Sequence, residues 1–211
     1  MTKQISLIIG LLFLIIGNGY AQDEKRALAV LDAMSNRYQS FTSYKATFTY
    51  SSQGGRPAQG EATVKGGKFY LKMADQEVLS DGKVLATYLK ESNEVTLQDY
   101  NEDESGDLSP ARIYRAYKQG YKYAFMGETQ VNGRTYENVR LIPTASNSPI
   151  SNVELQIDKA DKSIKGWKIF SKGNESTQFT VTQFQSNIAV NDNLFTFDAK
   201  RFPGVEVIDL R

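Results

Sequence analysis

The chain has 211 residues, 25 basic against 24 acidic side chains, and neither cysteine nor histidine. The commonest general base, the commonest metal ligand and the thiol nucleophile are therefore missing, so Ser-His-Asp, Cys-His and the usual zinc sites cannot be built. A balanced charge without a polybasic run gives nucleic acid nothing to hold and offers no lasting tether to an anionic membrane.

In chain order, Lys3 is the only charge before Asp23. An apolar run over residues 5–16, broken only by Ser6 and Gly10, leads to Gly19-Tyr20-Ala21, with small residues three and one positions before a cut after Ala21. This is the layout of a secretory signal peptide. The run is too short for a resident membrane helix, although an uncleaved anchor is the other reading. Residues 1–21 are expected to be removed, leaving 22–211 as one domain long enough for a substantial core. Without a cysteine there is no acceptor for N-terminal lipidation and no disulfide, so a soluble exported protein held by its core is expected.

Residues 23–38 read as a helix, with Leu28, Leu31, Met34 and Tyr38 as its apolar stripe. After Phe41 the period changes to two. Tyr44, Ala46, Phe48 and Tyr50 share one face, then Ala58, Gly60, Ala62 and Val64, then Phe69, Leu71 and Met73. This predicts antiparallel strands with one wet face. Asp81-Gly82 marks a hairpin before strands at 84–90 and 95–98. Residues 101–107 are polar and acidic, hence a loop. Asp99, Asn101 and Asp103 alternate like the start of a calcium loop, but Glu104 replaces its glycine and Pro110 its final glutamate, so that reading fails. Ser109-Pro110 predicts the start of a short helix over 110–118, with Ile113, Tyr114 and Tyr117 on one side. Further strands are expected at 121–130, 136–142, 152–158, 163–171, 177–184, 195–197 and 205–208. The fold class is α+β: an antiparallel sheet of about ten or eleven strands, curled into a barrel or half-barrel, with two helices.

The inward face is rich in large apolar residues. Either they fill the barrel, or part of the face lines a cavity for an apolar ligand with the helices as its cover. Trp167 belongs to core or rim; the sequence leaves both open. No cofactor is expected.

The order of these pieces resembles a known family. The carriers of the resemblance are Phe41-Thr42-Ser43-Tyr44-Lys45-Ala46-Thr47-Phe48, Gly60-Glu61-Ala62-Thr63-Val64-Lys65, the Ser80-Asp81-Gly82-Lys83 turn, a proline-started helix, Leu194-Phe195-Thr196-Phe197 and Pro203-Gly204-Val205-Glu206-Val207. Together they are similar to the periplasmic outer-membrane lipoprotein carrier proteins (LolA family) over nearly all of 22–211. The resemblance implies an incomplete antiparallel β-barrel capped by a helical lid, without enzymatic activity. It implies a monomer that takes acylated lipoproteins from an inner-membrane ABC-type release complex to an outer-membrane acceptor. Phe48, Tyr50, Phe69, Leu71, Met73, Leu97, Leu155 and Phe179 would line its cavity. Leu28, Leu31, Met34, Ile113, Tyr114 and Tyr117 would form its lid. The family's lid-latching arginine, expected just after a Val-Lys pair, is absent: Val64-Lys65 is followed by Gly66-Gly67. The competing functions are a carrier or sensor of free lipid or glycolipid, an envelope regulator that binds a protein, and a small secreted hydrolase. The last would need convergent carboxylates, and no such pair stands out.

Overall fold

The structure, a computed structural model, describes residues 17–100 and 109–211. Most of the expected leader and the acidic segment 101–108 lie outside the described residues. The elements are α1 (Gly17–Gln39), β1 (Ser43–Ser52), β2 (Ala58–Lys65), β3 (Lys68–Lys72), β4 (Gln76–Ser80), β5 (Val84–Leu89), β6 (Glu94–Asp99), β7 (Tyr121–Val131), β8 (Arg134–Pro143), β9 (Ile150–Asp158), β10 (Ile164–Ser171), β11 (Ser176–Ser186) and β12 (Glu206–Asp209).

The twelve strands of the described residues form one sheet, in the order β12-β6-β5-β4-β3-β2-β1-β11-β10-β9-β8-β7. Two hairpin meanders, β1–β6 and β7–β11, are joined where β1 pairs with β11. The end strands β12 and β7 do not pair with each other, so the barrel is incomplete. Every pairing is antiparallel except β12 on β6, which is parallel. The polypeptide leaving β6 must therefore cross the sheet to reach β7 at the opposite edge. Residues 109–118 are part of that crossing.

The expected open sheet is present, with β4 as a strand that the alternation did not single out. Two expectations are corrected. Residues 195–197 are not a strand; a 3-10 turn, Asp192–Phe195, stands there, capped by the Asn191 side chain. The helix expected over 110–118 is a run of turns ending in a 3-10 turn, Ala116–Lys118. Its bonds mix spacings: Ile113 N–H reaches Ser109 O, while Arg115 N–H reaches Arg112 O. The Pro110 carbonyl is engaged by the Tyr44 hydroxyl, which donates to it at 2.5 Å. A segment this short has little intrinsic helical stability, and tertiary contacts decide its path.

The sheet buries its inner face under α1 and the crossing segment, and its outer face only over β3–β6; the outer face of the other half stays polar and partly exposed. On the inner face α1 presents Ala27, Val30, Leu31, Met34 and Tyr38 to Val139, Leu141, Val153, Leu155 and Ile157. Arg26 stacks over the Phe125 ring of β7 at 3.9 Å and pairs with Glu128. On the outer face a second core joins Tyr70, Leu79, Ala86, Val95 and Leu97 to Phe195 and Phe202 of the C-terminal segment. Lys65 and Lys68 grip Asp192 at 2.6 Å each, which pins that segment to the β2–β3 turn and holds the Asp192 carboxyl down at about 2.

Candidate binding cavity

Cross-strand register aligns the inner face in rows, and side chains in one row share a face. One row runs Phe125, Val139, Leu155, Trp167, Phe179, Tyr50. Another runs Phe184, Ala46, Ala62, Leu71, Val78. The Ala46–Ala62 pair leaves a low floor between tall neighbours. Beside it Phe48 pairs with Gly60, and its ring lies where a Cβ on residue 60 would come within 2.4 Å.

Above this floor is a cavity of about 160 Å³. Phe48, Leu71 and Met73 wall it on one side, and Trp167, Ile169, Phe179, Val181 and Phe184 on the other. Tyr38 and Tyr44 close one end, and Pro110 and Ile113 roof it. The rings are organised: Trp167 stacks on Phe179 at 4.8 Å, and Phe48 packs against Phe179 at 5.9 Å. Such a lining offers hydrocarbon a dry, polarisable surface. Among the described residues no three or more acidic side chains gather as metal ligands would.

The roof is held by tyrosines. The Tyr44–Pro110 bond is one tie. Tyr114 stacks on Tyr38 at 5.8 Å and 13°, and the Tyr117 hydroxyl donates to Asp32 of α1 at 2.6 Å. Tyr38 accepts the Ile164 N–H at 3.1 Å. Burial lifts the Tyr38 phenol to about 12 and raises Tyr44 and Tyr117 well above the ordinary range, so these hydroxyls stay protonated donors. Gly66, at the position expected to carry an arginine, is in the β2–β3 turn with φ +59°, a conformation that suits glycine.

Of the residues expected around a cavity, Phe48, Leu71, Met73, Phe179 and Ile113 meet at this one. Tyr50 is beside it, stacked on Phe179 at 5.9 Å and accepting the Ala74 N–H at 3.0 Å. Phe69 and Leu155 are buried in the inner core, with Phe69 edge-on to Tyr100. Leu31 and Met34 are fully buried under α1, and Tyr117 is buried beside it. Two residues are elsewhere. Leu97 pairs with Ala86, and through Leu79 with Tyr70, on the outer face, so it belongs to the second core and not to a groove shared with Leu71. Leu28 is 36 % exposed because the buried stripe of α1 runs through Ala27, Val30 and Leu31 instead. Trp167 is in the wall. Ala46 and Ala62, which create the space, drew no attention as site residues. Small residues at inward positions of adjacent strands were the available signal.

A family model described as "Outer membrane lipoprotein carrier protein LolA" matches residues 39–198. No curated protein sequence matches the chain. Among solved structures, an uncharacterized conserved protein from Thermus thermophilus superposes with a TM-score of 0.60 at 12% identity, covering 87% of this chain and 99% of that one. That likeness is one of fold alone. A LolA superfamily protein from Nitrosomonas europaea superposes with a TM-score of 0.44 at 11% identity, over 81% and 97% of the two chains. The MucA/MucB complex of Pseudomonas aeruginosa gives 0.48 at 18% identity, over 83% and 62%.

Proposed function

Since the chain belongs to the outer membrane lipoprotein carrier (LolA) family, with residues 39–198 matching its model, we propose that it carries acyl chains of lipoproteins through the cell envelope in the cavity roofed by Pro110 and Ile113. The observation that carries this reading is an apolar space over the Ala46–Ala62 floor, walled by aromatic rings and roofed by the crossing segment. Residues 1–21 direct export to the periplasm, and 22–211 work there as a monomeric domain. The cargo comes from an inner-membrane ABC-type release complex and goes to an outer-membrane acceptor.

The energetics favour a covered cavity. Each methylene buried is worth about 0.8 kcal/mol, so a lipid anchor of roughly forty methylenes resists exposure to water by about 30 kcal/mol. A carrier must still release its load, and its affinity has to fall well short of the non-covalent ceiling near about −20 kcal/mol. The cavity, at about 160 Å³, has the volume of a site for benzene, a six-carbon ligand (about 150 Å³). A long acyl chain enters only if the roof lifts. Breaking the tyrosine ties on entry lowers net affinity, and their re-formation assists release. No covalent chemistry is involved.

The test is expression with the native leader, followed by native mass spectrometry of the periplasmic protein. An N-terminus at Gln22 and a co-purifying acylated peptide are expected. So is stimulated release of a lipoprotein from inner-membrane vesicles carrying the release complex. A protein that comes out empty and leaves release at background would rule the carrier role out.

A further inference from the structure

A second, polar cleft of about 380 Å³ adjoins the apolar cavity. Gln39, Thr42, Ser43, Gly66, Gly67 and Arg115 line it, and it shares Tyr38 and Tyr44 with the apolar cavity as a common wall. Those two rings meet edge to face at 5.6 Å. One stretch of chain covers both spaces: Pro110 and Ile113 over the apolar one, Tyr114 and Arg115 over the polar one. The Gly66-Gly67 turn keeps the cleft roomy, since a Cβ at residue 66 would meet nothing within 4 Å.

We propose that this cleft seats the anionic head group of an amphiphile whose hydrocarbon chain occupies the neighbouring apolar cavity. Arg115 is the one cationic side chain among the described residues of its lining. A guanidinium carries five N–H donors in a planar fork, so it can meet a carboxylate or phosphate as well as a protein acceptor. The Thr42 and Ser43 stretch, whose hydroxyls are bonded to Asn187 and Ile188, and the glycine turn complete the lining. Lifting the segment that holds Pro110 and Arg115 opens both spaces together, so head and chain enter as one. The inference rests on the chain-carrying role proposed above and adds selection by head-group charge, in a site distinct from the hydrocarbon wall.

The test compares cis-parinaric acid with its methyl ester, two fluorescent probes of identical chain and different head charge. The protein should bind the acid about tenfold more tightly than the ester, as expected of a charge-assisted hydrogen bond. Arg115→Gln should weaken the acid about tenfold and leave the ester unchanged. Thr42→Trp, which fills the cleft without touching the apolar wall, should do the same and guards against misfolding of the first variant. Lysophosphatidylglycerol should compete with the acid better on the unsubstituted protein than on Arg115→Gln, which marks phosphate heads as accepted alongside carboxylates. Inorganic phosphate should not compete; if it does, the cleft is a free-anion site and the proposal is overturned. Equal binding of acid and ester by the unsubstituted protein, or equal loss of both in the two variants, overturns the head-group site alone. Binding of neither probe overturns this site; it removes the carrier role as well only if lipoprotein release also stays at background.

Discussion

Leu71 stands in the cavity wall on the same row as the Ala46–Ala62 floor. A carboxylate there would sit in hydrocarbon whenever cargo is bound, at a cost of roughly 1–3 kcal/mol or more. Leu71→Glu should leave the protein soluble and folded while weakening apolar-probe binding at least tenfold, as fluorescence titration would read. Gly60 faces a stricter limit, because its missing Cβ makes room for the Phe48 ring. Gly60→Ala should displace that ring from the wall and destabilise the fold by about 1–3 kcal/mol, measured by urea denaturation. Tyr44 acts at the roof. Tyr44→Phe removes one hydrogen bond to Pro110, worth about 1 kcal/mol. It should speed probe uptake in stopped-flow experiments and lower the unfolding midpoint slightly; uptake as slow as in the unsubstituted protein would show that this tie does not hold the roof.

Among the elements, the C-terminal segment and the 109–118 crossing have opposite tasks. The C-terminal segment makes a permanent second core: Phe195 is 1% exposed against the outer face, and Phe202 tilts against Tyr88 at 4.5 Å. Phe195→Ala should cost about 3–5 kcal/mol of stability by denaturant titration. Probe affinity, read below the unfolding transition, should not change, since the residue lies on the far side of the sheet from the cavity. The crossing segment, in contrast, has no regular helix and no strand partner. It is held to the core by its tyrosine contacts and by buried Ala111, and a segment outside the sheet's hydrogen-bond ladder is the one to open locally. α1 is the firmer cover, anchored at one end by Arg26 on Phe125 and Glu128 and at the other by Tyr38 under Ile164.

At the scale of the whole molecule, opening has a direct readout because the chain has no cysteine. Ile113→Cys, labelled with an environment-sensitive fluorophore, carries a single reporter in the roof. Its emission should shift to the red when a long-chain ligand lifts the segment, and a spectrum unchanged at saturating ligand would mean that the roof stays shut. The sequence by itself determined much of this architecture. Alternation at period two exposed most strands and the apolar inner face, since each in-facing side chain must leave water locally. Absent cysteine and histidine excluded whole classes of chemistry without any coordinates. Tertiary structure decided the rest, because those features depend on partners distant in the chain. Leu97 and Leu71 look alike in sequence, and cross-strand register separates them by placing them on opposite faces of the sheet, Leu97 under residues 190–205. The segment after Pro110 has helical signals that a hydroxyl sixty-six residues upstream helps to override. The cavity exists because register sets two alanines side by side beneath a roof supplied by the crossing chain, and residue type alone does not specify an empty volume.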